Sequence, residues 1–328
     1  GLLEAQALWL MGVEPIWDEG GRVIDVKLVP REQLGRPRVD VVLSATGLYR
    51  DHFPNAIQQL ARAAQLAAEA DREPDNAVAT HTARIRALLK ERGLDEDSAR
   101  DAAQTRIFSS EQGLYGSGLD DAALATDTWE GKEEGDHKLA RLYLSRMQYA
   151  YGPDPRRWGK RLADIMSQPT GGSAQAASGG STAAAPGASP DGTAASTTAN
   201  APGAPAEALN LYAEQLRGTE GAVLSRSSNL YGMLTTDDPF QYLGGIGLAV
   251  RHLDGKAPEL YISNLRTPGS GRVERASQFL SRELATRQFH PGYIRNLMAE
   301  GYAGTLEVLD ATNNLWGWTA VAREIVRD

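Results

Sequence analysis

Within the stretch "SATGLYRDHFPNAIQQL", residues 44–60, Arg50, Asp51 and His52 stand side by side. An arginine offers a planar fork of N–H donors to carboxylates. An aspartate and a histidine offer oxygen and nitrogen to a divalent cation, and both can accept protons. Solvated charges at a turn are the bland alternative, and the residue types alone do not decide between them. Position adds to the case. The triplet follows "RVDVVLSA", a nearly continuous apolar run that reads as a strand buried on both faces, and precedes "FPNAIQQLARAAQLAAEA", a helix with Pro54 at its start. Ligands gather outside the carboxyl ends of such strands, where helix N-termini also point.

Other residues invite chemistry less directly. "GLYGSG" brings Gly113, Gly116 and Gly118 into one segment, which would let backbone approach a ligand, although a structural turn is the favoured reading and the order is not G-x-G-x-x-G. His81 lies in a helical stretch beside Thr80 and Arg84, where a packed or exposed histidine is the ordinary case. Asp237 and Asp238 precede Pro239 and Phe240; helix capping is their simplest role, and holding a divalent cation is the alternative. His137 sits in the charged run "EGKEEGDHK", and His252 and His290 have no informative spacing. The chain shows no G-x-x-x-x-G-K-[ST] loop, no Ser-His-Asp order and no H-E-x-x-H helix.

The elements that must position these residues read as α/β: a mixed α/β region followed by mainly helical segments. Residues 1–74 form the α/β region, with an opening helix, strands at "VEPIWD", "GRVIDVKLVP" and "RVDVVLSA", and the strand–helix junction site. Residues 75–167 are mainly helical, interrupted by a short strand and glycine turn in "RIFSSEQGLYGSGLDDAAL". "HKLARLYLSRMQYAYG" carries apolar residues at helical spacing. Residues 168–206 are almost wholly Ala, Gly, Ser, Thr and Pro, with Asp191 the single charge, which predicts a flexible insertion. Residues 207–328 read as α/β and mainly helical, with "EALNLYAEQLRGTEGAVLSR" helical then extended, "DDPFQYLGGIGLAVRHLDG" helical, "PELYISNL" a strand and "RVERASQFLSRELATRQF" an amphipathic helix.

Bulk composition bounds the possibilities. With 328 residues, 41% of them hydrophobic, the chain can bury a sizeable core. A formal net charge of −8 argues against an electrostatically driven nucleic-acid binder. The absence of cysteine removes disulfides, thiolate metal sites and thiol nucleophiles, so a metal here would meet oxygen or nitrogen; it is compatible with a reducing cytoplasm. No stretch approaches the roughly 20 apolar residues of a membrane helix. The start, "GLLEAQALWLMG", reads as a helix entered midway, so a longer parent protein is expected.

Several long segments together resemble one family. "ALWLMGVEPIWDEGGRVIDVKLVPREQLGRPRVDVVLSATGLYRDHFPNAI", "RIFSSEQGLYGSGL", "YLSRMQYAYG", "SSNLYGMLTTDDPFQYLGGIGLAVRHLDGKAPELYIS" and "GYAGTLEVLDATNNLWGW" resemble, in the same order, the large tetrapyrrole-binding subunit of cobaltochelatase and its magnesium-chelatase relatives. "SSNLYGMLTTDDPFQYLGG" is more similar to the cobalt branch. The resemblance implies the C-terminal part of a cobaltochelatase large subunit. Its activity would be ATP-dependent insertion of Co²⁺, the substrate metal, into hydrogenobyrinic acid a,c-diamide during cobalamin biosynthesis. It also implies partners: an AAA+ ATPase motor subunit that carries ATP and Mg²⁺, and its integrin-like-domain companion, in agreement with the missing P-loop. On this reading Arg50 and Arg106, with Tyr115, Gly116 and Gln241, bind the corrinoid precursor. Asp51, His52 and His81 serve catalysis, Asp237 and Asp238 the metal, and Tyr49, Tyr231 and Phe240 pack on the macrocycle with Tyr115. The alternatives are a magnesium chelatase acting on protoporphyrin IX, or a non-catalytic tetrapyrrole-binding module.

Overall fold

A computed structural model describes residues 2–70, 73–131, 134–167, 209–228, 232–267, 269 and 271–327. The expected flexible insertion at 168–206 and Tyr231 lie outside the described residues.

The chain opens with helix α1 (Leu2–Met11), which turns at Gly12 into an antiparallel hairpin, β1 (Val13–Trp17) and β2 (Val23–Leu28). One turn of helix, α2 (Arg31–Leu34), leads to β3 (Leu43–Ala45). The expected strand over "RVDVVLSA" is therefore much shorter. Upstream of it Arg38 forms only an isolated bridge with Asn76, and the Asp40 side chain is drawn into ion pairing, as described below. Helices α3 (Gly47–His52) and α4 (Pro54–Glu69) follow at once. Pro54 occupies the first turn of α4, where its missing N–H costs nothing. The buried face of α4 is Ile57, Leu60 and a series of alanines, which lets β1, β2 and α1 approach closely and builds the smaller of two cores.

Helix α5 (Ala77–Glu91) begins at Asn76, whose side-chain oxygen accepts from the Ala79 N–H at 3.1 Å. Helix α6 (Glu96–Gln104) leads into β4 (Ile107–Ser109), which runs parallel to β3 and antiparallel to the two-residue β5 (Tyr149–Ala150). Between β4 and β5 lie α7 (Leu119–Leu124) and α8 (Gly135–Arg146); α9 (Leu162–Met166) follows β5. Leu139, Tyr143 and Met147 are buried, as the helical spacing predicts.

A second three-stranded sheet forms from β6 (Gly221–Arg226), parallel to β7 (Glu259–Asn264), with β8 (Arg272–Arg275) antiparallel beside it. Helix α10 (Leu211–Leu216) precedes β6, and α11 (Gly245–Asp254) sits between β6 and β7, entered through a turn of π-helix, Pro239–Gly244. Of "RVERASQFLSRELATRQF", expected to be wholly helical, Arg272–Arg275 instead pairs as β8 and only Ala276–Thr286 forms helix, α12. Cross-strand hydrogen bonds to β7 outweigh the weak local preference of those four residues. Helices α13 (Pro291–Ala299), α14 (Tyr302–Val321) and α15 (Glu324–Arg327) close the chain. The larger core joins β4, α8, β6, β7, α11, α12 and Trp318 of α14. Among the described residues no helix is long and apolar enough to cross a membrane.

Candidate functional site

Two short parallel strands, β3 and β4, end together at Ala45 and Ser109. Beyond those ends the chain builds a loop held from three sides. The Arg50 side chain is almost fully buried beneath it. Its Nη1 donates to the carbonyls of Ser110 at 2.8 Å and Glu111 at 2.9 Å, and both Nη atoms reach the Leu114 carbonyl at 3.3 Å. Its Nε and Nη2 form a bidentate pair with Asp51, at 2.8 and 3.0 Å. Every guanidinium donor is thus engaged within the protein. Arg50, expected to anchor substrate, instead pins the 110–114 loop and aims the Asp51 carboxylate.

Close approach of helix and loop makes Gly47 obligatory: a Cβ there would lie 2.5 Å from the Leu114 carbonyl oxygen and 2.9 Å from Tyr115 Cα. At the loop's far end Gly118 adopts φ 77°, a left-handed conformation that turns the chain into α7. Gln241, presented by the π-helical turn, grips the loop from the third side. Its Oε1 accepts from the Ser117 N–H at 2.9 Å and the Ser117 hydroxyl at 3.0 Å, and its Nε2 donates to Asp237 Oδ2 at 2.7 Å. The Tyr242 hydroxyl donates to the Tyr115 carbonyl at 2.8 Å. The π-turn presents Gln241 and Tyr242 side by side, and they hold the loop at Ser117 and Tyr115.

The result is a row of polar groups along an exposed rim. Asp51, with its side chain 34% exposed, lies near the Tyr115 hydroxyl. The hydrogen bond from Arg50 first, then that charge and Tyr115, hold Asp51 below the ordinary carboxylate range. Farther along, Asp120, Asp237 and Asp238 lie close enough to repel one another. Partial burial first, then neighbouring carboxylates (Asp121 and Asp237 for Asp120, Asp237 and Asp120 for Asp238), push Asp120 and Asp238 upward. Tyr242 feels the charges of Asp238, Asp237, Arg50 and Asp120. Asp238 makes no side-chain cap, so its simplest expected role is not the one observed.

Sequence spacing does not reveal Asp120. It belongs to an Asp-Asp pair at the start of α7, directly after the glycine turn, and the fold brings that pair beside the Asp237–Asp238 pair. Two acid pairs at helix starts were the available signal, blunted because acids are common in first turns. Among the described residues no three His, Asp or Glu side chains are grouped tightly enough to hold a metal ion. The acids therefore present separate oxygen donors and proton acceptors rather than a preassembled cage.

Other expected site residues lie elsewhere. Arg106 and His81 meet at the opposite, N-terminal end of β3 and β4. Arg106 forms a bidentate pair with Asp40 at 2.7 and 3.1 Å, and its remaining donors go to the Ala103, Thr105 and Val78 carbonyls and the Thr82 hydroxyl. His81 Nδ1 meets the second Asp40 oxygen at 2.8 Å. Arg106 has no donor left for a ligand. His52 is exposed beside Phe53, with 6.4 Å between the ring centroids. Phe240, expected on a macrocycle face, is instead buried against Gly317 of α14, and the Tyr49 hydroxyl donates to Glu4 at 2.9 Å. A cavity of about 640 Å³ between Trp129, Asp136, His137, Trp316 and Arg323 shares no lining residue with the rim.

Comparison with known proteins places this architecture. The family model described as CobN/Magnesium Chelatase matches residues 1–328. The chain belongs to that family. Its relatives include a magnesium-chelatase subunit of Cereibacter sphaeroides, 29% identical over 98% of this chain and 22% of that protein. The aerobic cobaltochelatase subunit CobN of a Sinorhizobium species is 27% identical over 96% of this chain and 21% of that protein. Among solved structures, the catalytic subunit of cobaltochelatase from Mycobacterium tuberculosis matches with a TM-score of 0.74 and 28% identity, covering 97% of this chain and 22% of that one. The chain thus spans about a fifth of the length of these family members.

Proposed function

We propose that this chain forms part of the large subunit of a cobaltochelatase, which inserts Co²⁺ into hydrogenobyrinic acid a,c-diamide. One observation carries the reading beyond family membership. A single loop, pinned by Arg50, which also pairs with Asp51, and gripped by Gln241, which also holds Asp237, ties Asp51 and Tyr115 to the neighbourhood of Asp120, Asp237 and Asp238. Inserting an ion into a macrocycle requires shedding its water and removing protons from ring nitrogens. Both steps call for oxygen donors and bases.

The environments divide the work. Asp51, kept ionised by Arg50, is a poor base and a persistent anionic oxygen donor for the incoming ion. Asp237 is oriented for the same purpose by Gln241. Asp120 and Asp238, pushed upward, are the better proton acceptors, since a base is most effective when its pKa approaches the working pH. Tyr115, 54% exposed, offers an aromatic face for the macrocycle. Arg50, Gly47 and Gln241 position the row.

By the family resemblance, ATP would be hydrolysed on AAA+ partner subunits accompanied by an integrin-like-domain companion, with which the lack of a P-loop in this sequence agrees. A magnesium chelatase acting on protoporphyrin IX is the second reading, supported by the 29% identity to the magnesium-chelatase relative against 27% to the CobN relative. The deciding experiment combines the full-length protein with its motor subunits and ATP, and offers Co²⁺ with the corrinoid against Mg²⁺ with protoporphyrin IX. Cobalt insertion is expected. Preferential magnesium insertion would transfer the assignment to the second reading, and no metallation of either ring would refute both.

A further inference from the structure

The second parallel strand pair ends in a different kind of pocket. Strands β6 and β7 finish at Arg226 and Asn264, and a cavity of about 290 Å³ opens there, lined by Arg266, Arg272, Arg282, Asn264, Glu283 and two threonines. In a chain of net charge −8 this is a concentrated positive site. Its carboxylates are already committed. Glu274 takes Arg272 at 2.5 Å and Arg282 at 2.8 Å on one oxygen, and the Asn264 amide at 3.1 Å on the other. Glu283 takes Arg266 at 3.3 Å and the Met233 N–H at 2.6 Å.

Beside the cavity, at the end of β6, Arg226 donates through Nη2 to the Gly232 carbonyl at 3.2 Å and feels the charges of Glu283 and Asp238, and its buried Nε has no hydrogen-bond partner among the described residues. The cavity itself carries three guanidinium groups (Arg266, Arg272, Arg282) against two carboxylates (Glu283, and Glu274 paired to two of the arginines). Guanidinium charge exceeds carboxylate charge at this site, and the fork geometry of arginine suits a further carboxylate. Arg226 and Asp238 couple this cavity to the row of acids on the rim. The volume lies at the lower end for a whole ligand and suffices for a carboxylate arm.

We propose that the arginine-lined cavity at the ends of β6 and β7 receives peripheral carboxylates of the tetrapyrrole and holds its rim while the acids face the ring nitrogens. This rests on the chelatase reading above. The shared chemistry is an oxyanion, and inorganic phosphate is the competing source.

The test titrates full-length protein with hydrogenobyrinic acid a,c-diamide and with protoporphyrin IX, each as free acid and as methyl ester, followed by absorption. Wild type is expected to prefer the free acid. Arg282→Gln, Arg272→Gln and Arg266→Gln should each weaken acid binding about ten-fold and leave ester binding unchanged. Each of the first two leaves its neighbour on Glu274, and Arg272 and Arg282 are 59% and 43% exposed, so folding is retained and checked by thermal melting. Equal wild-type binding of acid and ester would overturn the proposal while leaving the chelatase reading standing. Binding of neither ring would bring both down. Inorganic phosphate captured through these arginines, with the acid preference intact in the variants, would show a phosphate site and also overturn the proposal.

Discussion

Two buried arginines sit at opposite ends of the same pair of three-residue strands, and each forms a bidentate pair with an aspartate. Their partners differ. Asp40, paired with Arg106 and His81, is 9% exposed, and the rest of the Arg106 guanidinium is taken up by Thr82 and three backbone carbonyls; Asp51, paired with Arg50, is 34% exposed and faces an open loop. One ion pair closes an interior and the other presents a carboxylate. The difference follows from strand polarity: α3 and the 110–118 loop leave from the carboxyl ends, where chain can diverge and expose side chains, whereas the amino ends are capped by α5 and α6.

Breaking the closed pair should produce the largest effect. Arg106→Met leaves Asp40 buried without its main counter-charge and is expected to destabilise the fold by about 3–5 kcal/mol, read from chemical denaturation. A loss below about 1 kcal/mol, the range of an exposed pair, would show that the two ends are not distinct in kind.

At the open end the effect should fall on chemistry. Asp238→Asn is expected to slow metal insertion by roughly 100-fold with an unchanged melting temperature. Because like charge helps raise Asp238, Asp120→Asn should move the acidic limb of the insertion–pH profile downward, toward the ordinary carboxylate value of about 4. A limb that stays in place would separate the two acids.

Gly47→Ala drives a methyl into the Leu114 carbonyl and should displace the loop, cutting insertion about ten-fold while the closed end keeps its stability. Unaltered turnover would deny the loop its positioning role.

Acid should distinguish the ends more gently. Burial alone would raise Asp40, but the Arg106 charge and the hydrogen bonds from His81 and Arg106 outweigh it and hold Asp40 low. Its contribution to stability is therefore complete above the unfolded value of about 4 and is lost as pH falls through the depressed folded value. Denaturant midpoints from about pH 7 to about pH 3 should fall farther for wild type than for Asp40→Asn. The smallest effect belongs to His81→Gln. With its side chain 46% exposed, the histidine should contribute under about 1 kcal/mol and leave insertion untouched, and a lost activity would move catalysis to the closed end.

Much of this architecture is legible along the chain. Pro54 marks the start of α4, apolar spacing marks α8, and "PELYISNL" marks β7, because helix starts and buried faces depend on residues a few positions apart. The segments "RVDVVLSA" and "RVER" mislead, because pairing with β4 and β7 sets their extent and identity. Within the site, the Arg50 triplet and the Asp237–Asp238 pair stand out by residue type, and Tyr115, Gly116 and Gln241 only through the family resemblance. Asp120 does not, and residue type groups Arg106 and His81 with side chains they never meet.

The order of residues alone determined the family, the α/β alternation and the absence of thiol or P-loop chemistry, since each depends on which side chains are present and how closely they follow one another. Only the tertiary structure decided which arginine closes an interior, which opens a rim, and that two Asp-Asp pairs more than a hundred residues apart share one field. Charge and hydrogen bonding act through space over a few ångströms, and that proximity exists only after the cores have packed.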